Sequence, residues 1–491
     1  MGHAFVGLML IAAVPPMTFG VEHLSVDGHV RHVEAADLDG DGKLELIAVL
    51  VKGEGDKARR SMAIFWNDGK AFATTPDLVL PAPIDLCAYE LADLDSQPGA
   101  ELLEVTPTGL RARSFIGRAV SAGRVLISET TLFSRAPRDE LPRLKLVQTL
   151  GAQLPKVVLL PGPGTLSAWV LVDDHFVRRA RIALETKNDI RMPSRDGVEQ
   201  VTPGLTSISA TTHFPQVRVV DLNADERPDL AIVSDETVRG YLQTDEGFAA
   251  EPSVEHTFAV RASKEDKTAS VTLMLADVNG DRRADVLVTK NVSKGISSAK
   301  TSVLVFYATN DGFGDKPDQT IETDGVSVSS VQLADITGDG QLDLLVPSMK
   351  LGLFSIIRML TSSSMKVDFR LYPMGPKKRF AAEPTATRDL IFQLSLNENQ
   401  SDLQAVDMTG DFDGDGHPDL AFGVGRDELA LYTGGRAKEV FSAEPMTKVA
   451  VRAFGHALPI SLDGGKRSDL VLWYPETEAH EHELSVVRQS R

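Results

Sequence analysis

Oxygen-bearing side chains recur at fixed spacing in five short segments. These are DLDGDGKLELIAV from Asp37, DLNADERPDLAIV from Asp221, DVNGDRRADVLVT from Asp277, DITGDGQLDLLVP from Asp335 and DFDGDGHPDLAFG from Asp411. Positions 1, 3 and 5 of a tight loop can converge on one point, where the carbonyl of position 7 also points, and an acid at position 9 closes the cage. Three or four crowded carboxylates repel strongly unless a hard divalent cation neutralises them. Oxygen-only ligation of that number suits Ca²⁺, whereas Mg²⁺ prefers to keep its waters. The candidate ligands are Asp37, Asp39, Asp41 and Glu45; Asp221, Asn223, Asp225 and Asp229; Asp277, Asn279, Asp281 and Asp285; Asp335, Thr337, Asp339 and Asp343; and Asp411, Asp413, Asp415 and Asp419. Thr337 is the poorest of them, because a hydroxyl brings no charge. About five calcium sites are expected on this reading.

The spacing excludes an EF-hand. That loop needs a bidentate Glu at position 12 on an emerging helix, and here position 12 is Ala48, Ile232, Val288, Val346 or Phe422. Acid is concentrated in these loops, since their carboxylates nearly match the chain's net charge of -18. Such a balance is a poor match for nucleic acid, whose recognition rests on Lys and Arg against phosphate.

Three further segments keep the rhythm with less of the chemistry. DLDSQPGAELLEV from Asp93 lacks the third carboxylate, QTLGAQLPKVVLL from Gln148 has no acid, and SLDGGKRSDLVLW from Ser461 keeps Asp463 and Asp469. Eight units of roughly 50 to 60 residues, two of them longer, imply a ring of similar pieces, because no unit buries both its faces alone. Within a unit, an alternating strand precedes the loop and a continuous apolar run such as Glu45 to Val51 follows it, as a buried central strand requires. Asn67-Asp68-Gly69, Asp173-Asp174, Asp245 to Gly247 and Asn310-Asp311-Gly312 supply hairpin turns between third and fourth strands, the first leading into a strand that opens with Phe72. The expected fold is all-β: a β-propeller of eight blades, or of seven if a degenerate unit is not a full blade. The eighth unit runs out of chain before its outer strand, and Val21 to Val26 is expected to supply it and close the ring. Strong amphipathic helices are not expected.

The first twenty residues, MGHAFVGLMLIAAVPPMTFG, carry an apolar run from Ala4 to Val14, then Pro15, Pro16 and small residues. This reads as a secretory signal cleaved near Gly20 and is too short to span a bilayer. The expected organisation is therefore a signal at 1–20 and a single propeller domain at 21–491, exported to the periplasm or outside the cell, with no membrane span. Cys87, the only cysteine, excludes a disulfide framework and reads as a buried apolar residue.

The repeat resembles that of the VCBS/FG-GAP family, calcium-loop propellers that include the head of integrin α subunits. The D-x-D-x-D-G-x-x-D-L form stands intact from Asp411 to Leu420, and the resemblance covers essentially the whole mature chain. It implies that the acidic loops join the first and second strands of each blade on one face of the ring. The long intervals after 148 and 335 are expected to fall between blades, at 184–213 and about 374–402, on the opposite face. The second would carry the basic run Lys377-Lys378-Arg379-Phe380 there. Two functional classes follow. One is a non-catalytic interaction or adhesion scaffold that binds a protein or glycan on the face opposite the loops. The other is a glycan-active enzyme, since some related propellers are polysaccharide lyases. No nucleophile elbow, P-loop or H-E-x-x-H motif occurs. His480-Glu481-His482-Glu483 reads as a charged turn, so no catalytic residue is assigned. Titratable groups clustered at the channel mouth would favour the enzyme.

Overall fold

The computed structural model describes residues 17–489 apart from 96, 150–155, 186, 192–208, 246, 262–268, 294–298, 328–329, 351, 394, 398–399, 403 and 436–438. Eight antiparallel sheets, seven of four strands and one in which a fifth short strand joins, follow one another along the chain as eight blades. In blade 1 the strands run His29–Ala36, Glu45–Lys52, Arg59–Phe65 and Leu78–Pro81 from the channel outward. The second strand is apolar and buried along its length except for Lys52, because sheet neighbours flank it on both edges and other blades cover both faces. Core clusters accordingly lie between blades. Leu46, Ala48 and Leu50 of blade 1 pack with Val471 and Trp473 of blade 8, while Ile47 and Val49 pack with Tyr89 and Leu102 of blade 2. Alternation along one strand thus joins three blades.

The ring closes as expected. Phe19–Ser25 pairs antiparallel with Glu483–Gln489 and forms the outer strand of the blade that holds His456–Ile460 and Asp469–Trp473. It starts two residues before the expected Val21, so cleavage after Gly20 would trim its first two pairs. The rest of the apolar leader lies outside the described residues. Among the described residues no helix is long and apolar enough to cross a membrane.

Three expectations need correction. A helix, Leu353–Ser362, connects the second and third strands of blade 6, where none was expected. Ser355 Oγ accepts the Gly352 N–H at its start, and Ser363 ends it in a left-handed turn (φ 44°). Its segment reads as one more apolar run next to a strand of the same composition, so periodicity alone did not separate them. Second, Lys377 to Phe380 lies in the connection between the third strand, Ser364–Tyr372, and the outer strand, Ala386–Gln393. That places the basic cluster on the acidic-loop face, where Lys378 Nζ reaches Gln341 Oε1 of the fourth loop (3.1 Å). The part of this interval between blades is only a short hairpin, Ser395–Asn397 with Gln400–Asp402. Third, the outer strand of blade 1 begins at Leu78, while Phe72 is buried in the core between blades 8 and 1. The first long interval does fall between blades: Lys187–Arg191 pairs with Ser209–His213 after the outer strand of blade 3.

Leu24 is 2 % exposed and belongs to the core that joins the first and last blades. Leu24→Ala should lower unfolding stability by about 2–5 kcal/mol, read as a shift of the urea midpoint. A loss near zero would mean that the terminal strand does not hold the ring closed.

Candidate functional site

Register places the ninth residue of each acidic loop. Ala36 pairs with Glu45, Val220 with Asp229, Ala276 with Asp285 and Ala334 with Asp343, so in four loops this acid is the first residue of the second strand, and in the fifth Asp419 immediately precedes it. Glu45, Asp229, Asp285, Asp343 and Asp419 are completely buried. One oxygen accepts a backbone N–H from the second or third loop residue: Leu38 (2.7 Å), Leu222 (2.9 Å), Val278 (3.2 Å), Thr337 (2.8 Å) and Phe412 (2.7 Å). The other oxygen accepts an N–H just past the third strand, from Asn67 (3.4 Å), Gln243 (2.7 Å), Ala308 (2.8 Å), Met374 (3.3 Å) and Gly434 (2.8 Å). Burial, above all, and then nearby loop carboxylates raise the pKa, to about 7 for Glu45, Asp285 and Asp419; burial also raises that of Asp229 and Asp343.

The upper part of each loop repeats as faithfully. The first Asp accepts the N–H groups three and five residues on, in all five loops: Asp37 from Gly40 and Gly42, Asp221 from Ala224 and Glu226, Asp277 from Gly280 and Arg282, Asp335 from Gly338 and Gly340, Asp411 from Gly414 and Gly416. These contacts hold positions 4 and 6 left-handed (φ between 64° and 91°), a conformation that favours glycine. Ala224, Glu226 and Arg282 adopt it without being glycine.

Two loops bring three carboxylates together. One oxygen each of Asp37, Asp39 and Asp41 lie within 4.8 Å of one another, as do those of Asp411, Asp413 and Asp419. In the second and third loops an amide takes the third place, and Asn223 and Asn279 donate to the fifth-position acid instead (3.1 and 3.2 Å to Asp225 and Asp281). In the fourth, Thr337 is buried and its hydroxyl bonds the buried Asp343 carboxylate. Every side-chain donor set is oxygen-only, and the converging carboxylates of the first and fifth loops are what a hard divalent cation would neutralise. The residues present fit Ca²⁺.

Protein cations compete for some of these acids. Lys43 pairs with Asp41, Arg118 bridges Asp39 and Asp68, and Arg227 holds Asp225 (3.1 Å). In the fifth loop the corresponding seventh residue is His417, whose backbone N–H bonds Asp415 (2.9 Å). In the degenerate third unit, Lys156 stands where the buried acid would be. Its ammonium reaches back to Asp93 of the preceding loop, at 2.8 Å from Oδ1 and 2.6 Å from the carbonyl.

Neighbouring loops are also joined by backbone. Ala100 N–H bonds Asp37 O (2.7 Å), Ala284 bonds Asp221 O (2.8 Å), Ser468 bonds Asp411 O (2.6 Å) and Leu44 bonds Leu462 O (3.0 Å). The residue just before the buried acid of one loop thus donates to the start of the previous one. The His480 to Glu483 run is a turn tied by His480 Nδ1 to Glu483 (2.8 Å) and by Glu481 to His29 (2.7 Å). Cys87 is buried, and burial pushes its thiol up to about 11.

Sequence reasoning missed a second cluster, at the channel. His32, Glu34, Tyr89 and Arg143 come from two blades and an interblade connection, with no local spacing to reveal them. Arg143 Nε pairs with Glu34 (3.0 Å), and burial holds the His32 imidazole below its ordinary range, helped by Arg143 and His456.

Two measurements follow from the loop geometry. Ala224→Gly should raise stability by about 1 kcal/mol, because the left-handed backbone costs an alanine roughly that much, and urea unfolding reads it directly. Asp469, the ninth-position acid of the degenerate eighth loop, is half-buried, and this desolvation raises it to about 6 against the opposing pull of Arg488. The unfolded chain ionises it near pH 4 and the folded chain only near 6, so its contribution to stability falls as pH rises through that window. Asp469→Asn should therefore improve relative to the parent between pH 4 and pH 7, by on the order of 1–2 kcal/mol. An unchanged difference would overturn the assignment.

The FG-GAP-like repeat family matches this chain at residues 221–288 and 277–346, the segments that contain the second, third and fourth acidic loops. No curated protein matches. Among solved structures, Sqt1 from Chaetomium thermophilum is similar at 11% identity, over 96% of this chain and 100% of that one, with a TM-score of 0.48. The WD40 domain of SCAP from fission yeast is similar at 10% identity, over 96% and 94%, with a TM-score of 0.37. With eight sheets in a ring and acidic loops between the first two strands of five of them, the chain is an eight-bladed β-propeller that carries FG-GAP-like repeats at residues 221–288 and 277–346.

Proposed function

We propose that this protein is an exported propeller stiffened by calcium, acting as a non-catalytic interaction scaffold whose free face binds a protein or glycan. The observation that carries this reading is the identical wiring of five loops around oxygen-only donor sets, two of them with three converging carboxylates. The ligands would be the first, third, fifth and ninth side chains of each loop, with the seventh carbonyl. A cation bound there would neutralise the buried ninth acid, whose ionisation burial now opposes. The metal would act on the fold and carry out no chemical step: it would lock each loop against its neighbours through the backbone bonds that already join them.

The sites should differ in strength. The fifth loop has four carboxylates and no Lys or Arg at its seventh position, so it should bind tightest. The first should follow, since Lys43 must release Asp41. The fourth, with Thr337, should be weakest. Loops at 93, 148 and 461 are expected to bind weakly or not at all. The face opposite the loops carries the interblade hairpins, where recognition on rigid scaffolds concentrates.

The test is thermal unfolding of residues 21–491 in Ca²⁺ against EDTA. A ligand that binds only the folded state raises the midpoint by mass action, by about 2.7 kcal/mol at a hundredfold excess over its dissociation constant. Asp411→Ala should remove more of the rise than Asp335→Ala. No shift at saturating Ca²⁺ would overturn the metal reading, and equal effects of the two variants would overturn the ranking.

A further inference from the structure

The helix Leu353–Ser362 is apolar, yet none of its described residues is buried and none joins a core cluster. Leu353 and Leu360 are 69% and 72% exposed, and Ile357 and Met359 are exposed as well. Leu353, Ile357 and Leu360 follow at intervals of four and three, so they line one side of the helix. Ile356 and Met359 line a cavity of about 500 Å³, together with Met349 and Met365 at the ends of the two strands that the helix joins. A helix this short is marginal in water on its own and depends on packing of its apolar face. Four of the twelve large apolar side chains exposed among the described residues sit on it. Apolar surface gathered in one place marks an interaction site.

The charge around this helix is the reverse of the chain's. From Met349 to Lys366 the sequence reads MKLGLFSIIRMLTSSSMK, with Lys350, Arg358 and Lys366 and no acid, in a chain of net charge -18. Lys366 already meets Asp389 (2.6 Å) and Asp368 (3.5 Å). Lys350 and Arg358 are exposed at the cavity rim and have no acid partner among the described residues. The helix's hydroxyls are tied to its own backbone: Ser355 to Gly352, Thr361 Oγ1 to Ile357 O (2.7 Å) and Ser362 Oγ to Arg358 O (2.8 Å). Outward it offers apolar surface and two cations, with no hydroxyl left for directional recognition.

Placement fits the charge. The second strand of blade 6, Asp343–Met349, runs away from the fourth acidic loop, so the helix after it stands on the opposite face. A strand of that length spans about 23 Å, more than twice the Debye length of about 8 Å at physiological salt. The acid of the loops is therefore screened at the helix.

We propose that this helix seats the propeller on an anionic lipid surface, with Leu353, Ile357 and Leu360 entering the acyl boundary and Lys350 and Arg358 meeting the headgroups. A helix lying in that interface gains from apolar burial and from attraction to anionic lipid together. Ten residues span about 15 Å, far short of a bilayer, so the helix lies on the surface and does not cross it. A protein partner would call for directional hydrogen bonds, which this surface does not offer. A second copy docked face to face would set like cations against each other. The inference goes beyond the scaffold reading and needs neither calcium nor a partner elsewhere on that face.

Co-sedimentation of residues 21–491 with vesicles tests it, using phosphatidylcholine and phosphatidylglycerol in equal parts against phosphatidylcholine alone. Because Ca²⁺ can bridge acidic loops to anionic lipid, the assay is run in Ca²⁺ and again in EDTA. Binding to the mixed vesicles is expected in both, and it should weaken at high salt. Leu353→Ser combined with Leu360→Ser should weaken it by about tenfold or more, and Lys350→Ala combined with Arg358→Ala by about tenfold. All four side chains are exposed, so both variants should melt where the parent does, which separates lost binding from lost fold. No binding to the mixed vesicles overturns the proposal, as does binding that ignores both variants or is equal on neutral vesicles. Binding confined to Ca²⁺ assigns the lipid to the acidic loops and overturns it too. Sedimentation velocity covers the remaining occupant: a dimer that the leucine variant abolishes, without vesicle binding, gives the helix to a second copy instead.

Discussion

A buried carboxylate at the root of each loop is the contact on which the rest depends. Glu45, Glu101, Asp229, Asp285, Asp343, Asp419 and Asp469 each accept an N–H from the loop above them. In the five acidic loops the second oxygen also ties the end of the third strand, so one side chain fixes the loop to its hairpin neighbour. Such a group is expensive to bury, and its raised pKa reflects that cost. It persists because removing it would orphan two backbone donors at once. The eighth case inverts the arrangement: Lys156 replaces the acid and satisfies Asp93 next door.

Backbone bonds between loops carry this local order across four blade boundaries, from blade 8 to 1, 1 to 2, 4 to 5 and 7 to 8. There the residue before the buried acid donates to the preceding loop, so a loop held correctly by its own acid also positions its predecessor. Side chains reinforce the link: the Arg467 guanidinium reaches Asp413 O (3.1 Å), and His417 stands over Gly338, whose absent side chain leaves it room. Repeat proteins gain most of their stability from such nearest-neighbour interfaces, and the apolar clusters that lie between blades are the larger part of the same coupling.

What was legible in the sequence follows from distance along the chain. Loop, buried acid and hairpin all fall within about thirty residues, and their period repeats, so strand order, closure by the N-terminal strand and a ring of eight or seven blades could be read from the sequence. The helix Leu353–Ser362 escaped because an apolar run beside a strand has no period of its own to betray it. Lys377 to Phe380 went to the wrong face because interval length does not say which connection within a blade has grown; the added residues were spread over three of them. The channel cluster was invisible for a deeper reason. His32, Tyr89, Arg143 and Trp473 meet only because a ring brings first and last blades together, and no local pattern encodes that.

The two faces of the ring also divide the labour unequally around its circumference. Intact acidic loops lie in blades 1, 4, 5, 6 and 7, and the degenerate ones in blades 2, 3 and 8. The channel cluster draws on blades 8, 1 and 2 and on the connection from 2 to 3, largely that same sector. There the protein supplies its own substitutes for a bound cation: Lys156 on Asp93, Arg111 and Arg113 on buried Glu104, and Arg60 under that connection. Fixed guanidinium and ammonium groups hold that sector at any calcium concentration. On the calcium reading proposed above, chelation would loosen blades 4 to 7 first and leave this sector in place, because its charges are met by side chains of the protein itself.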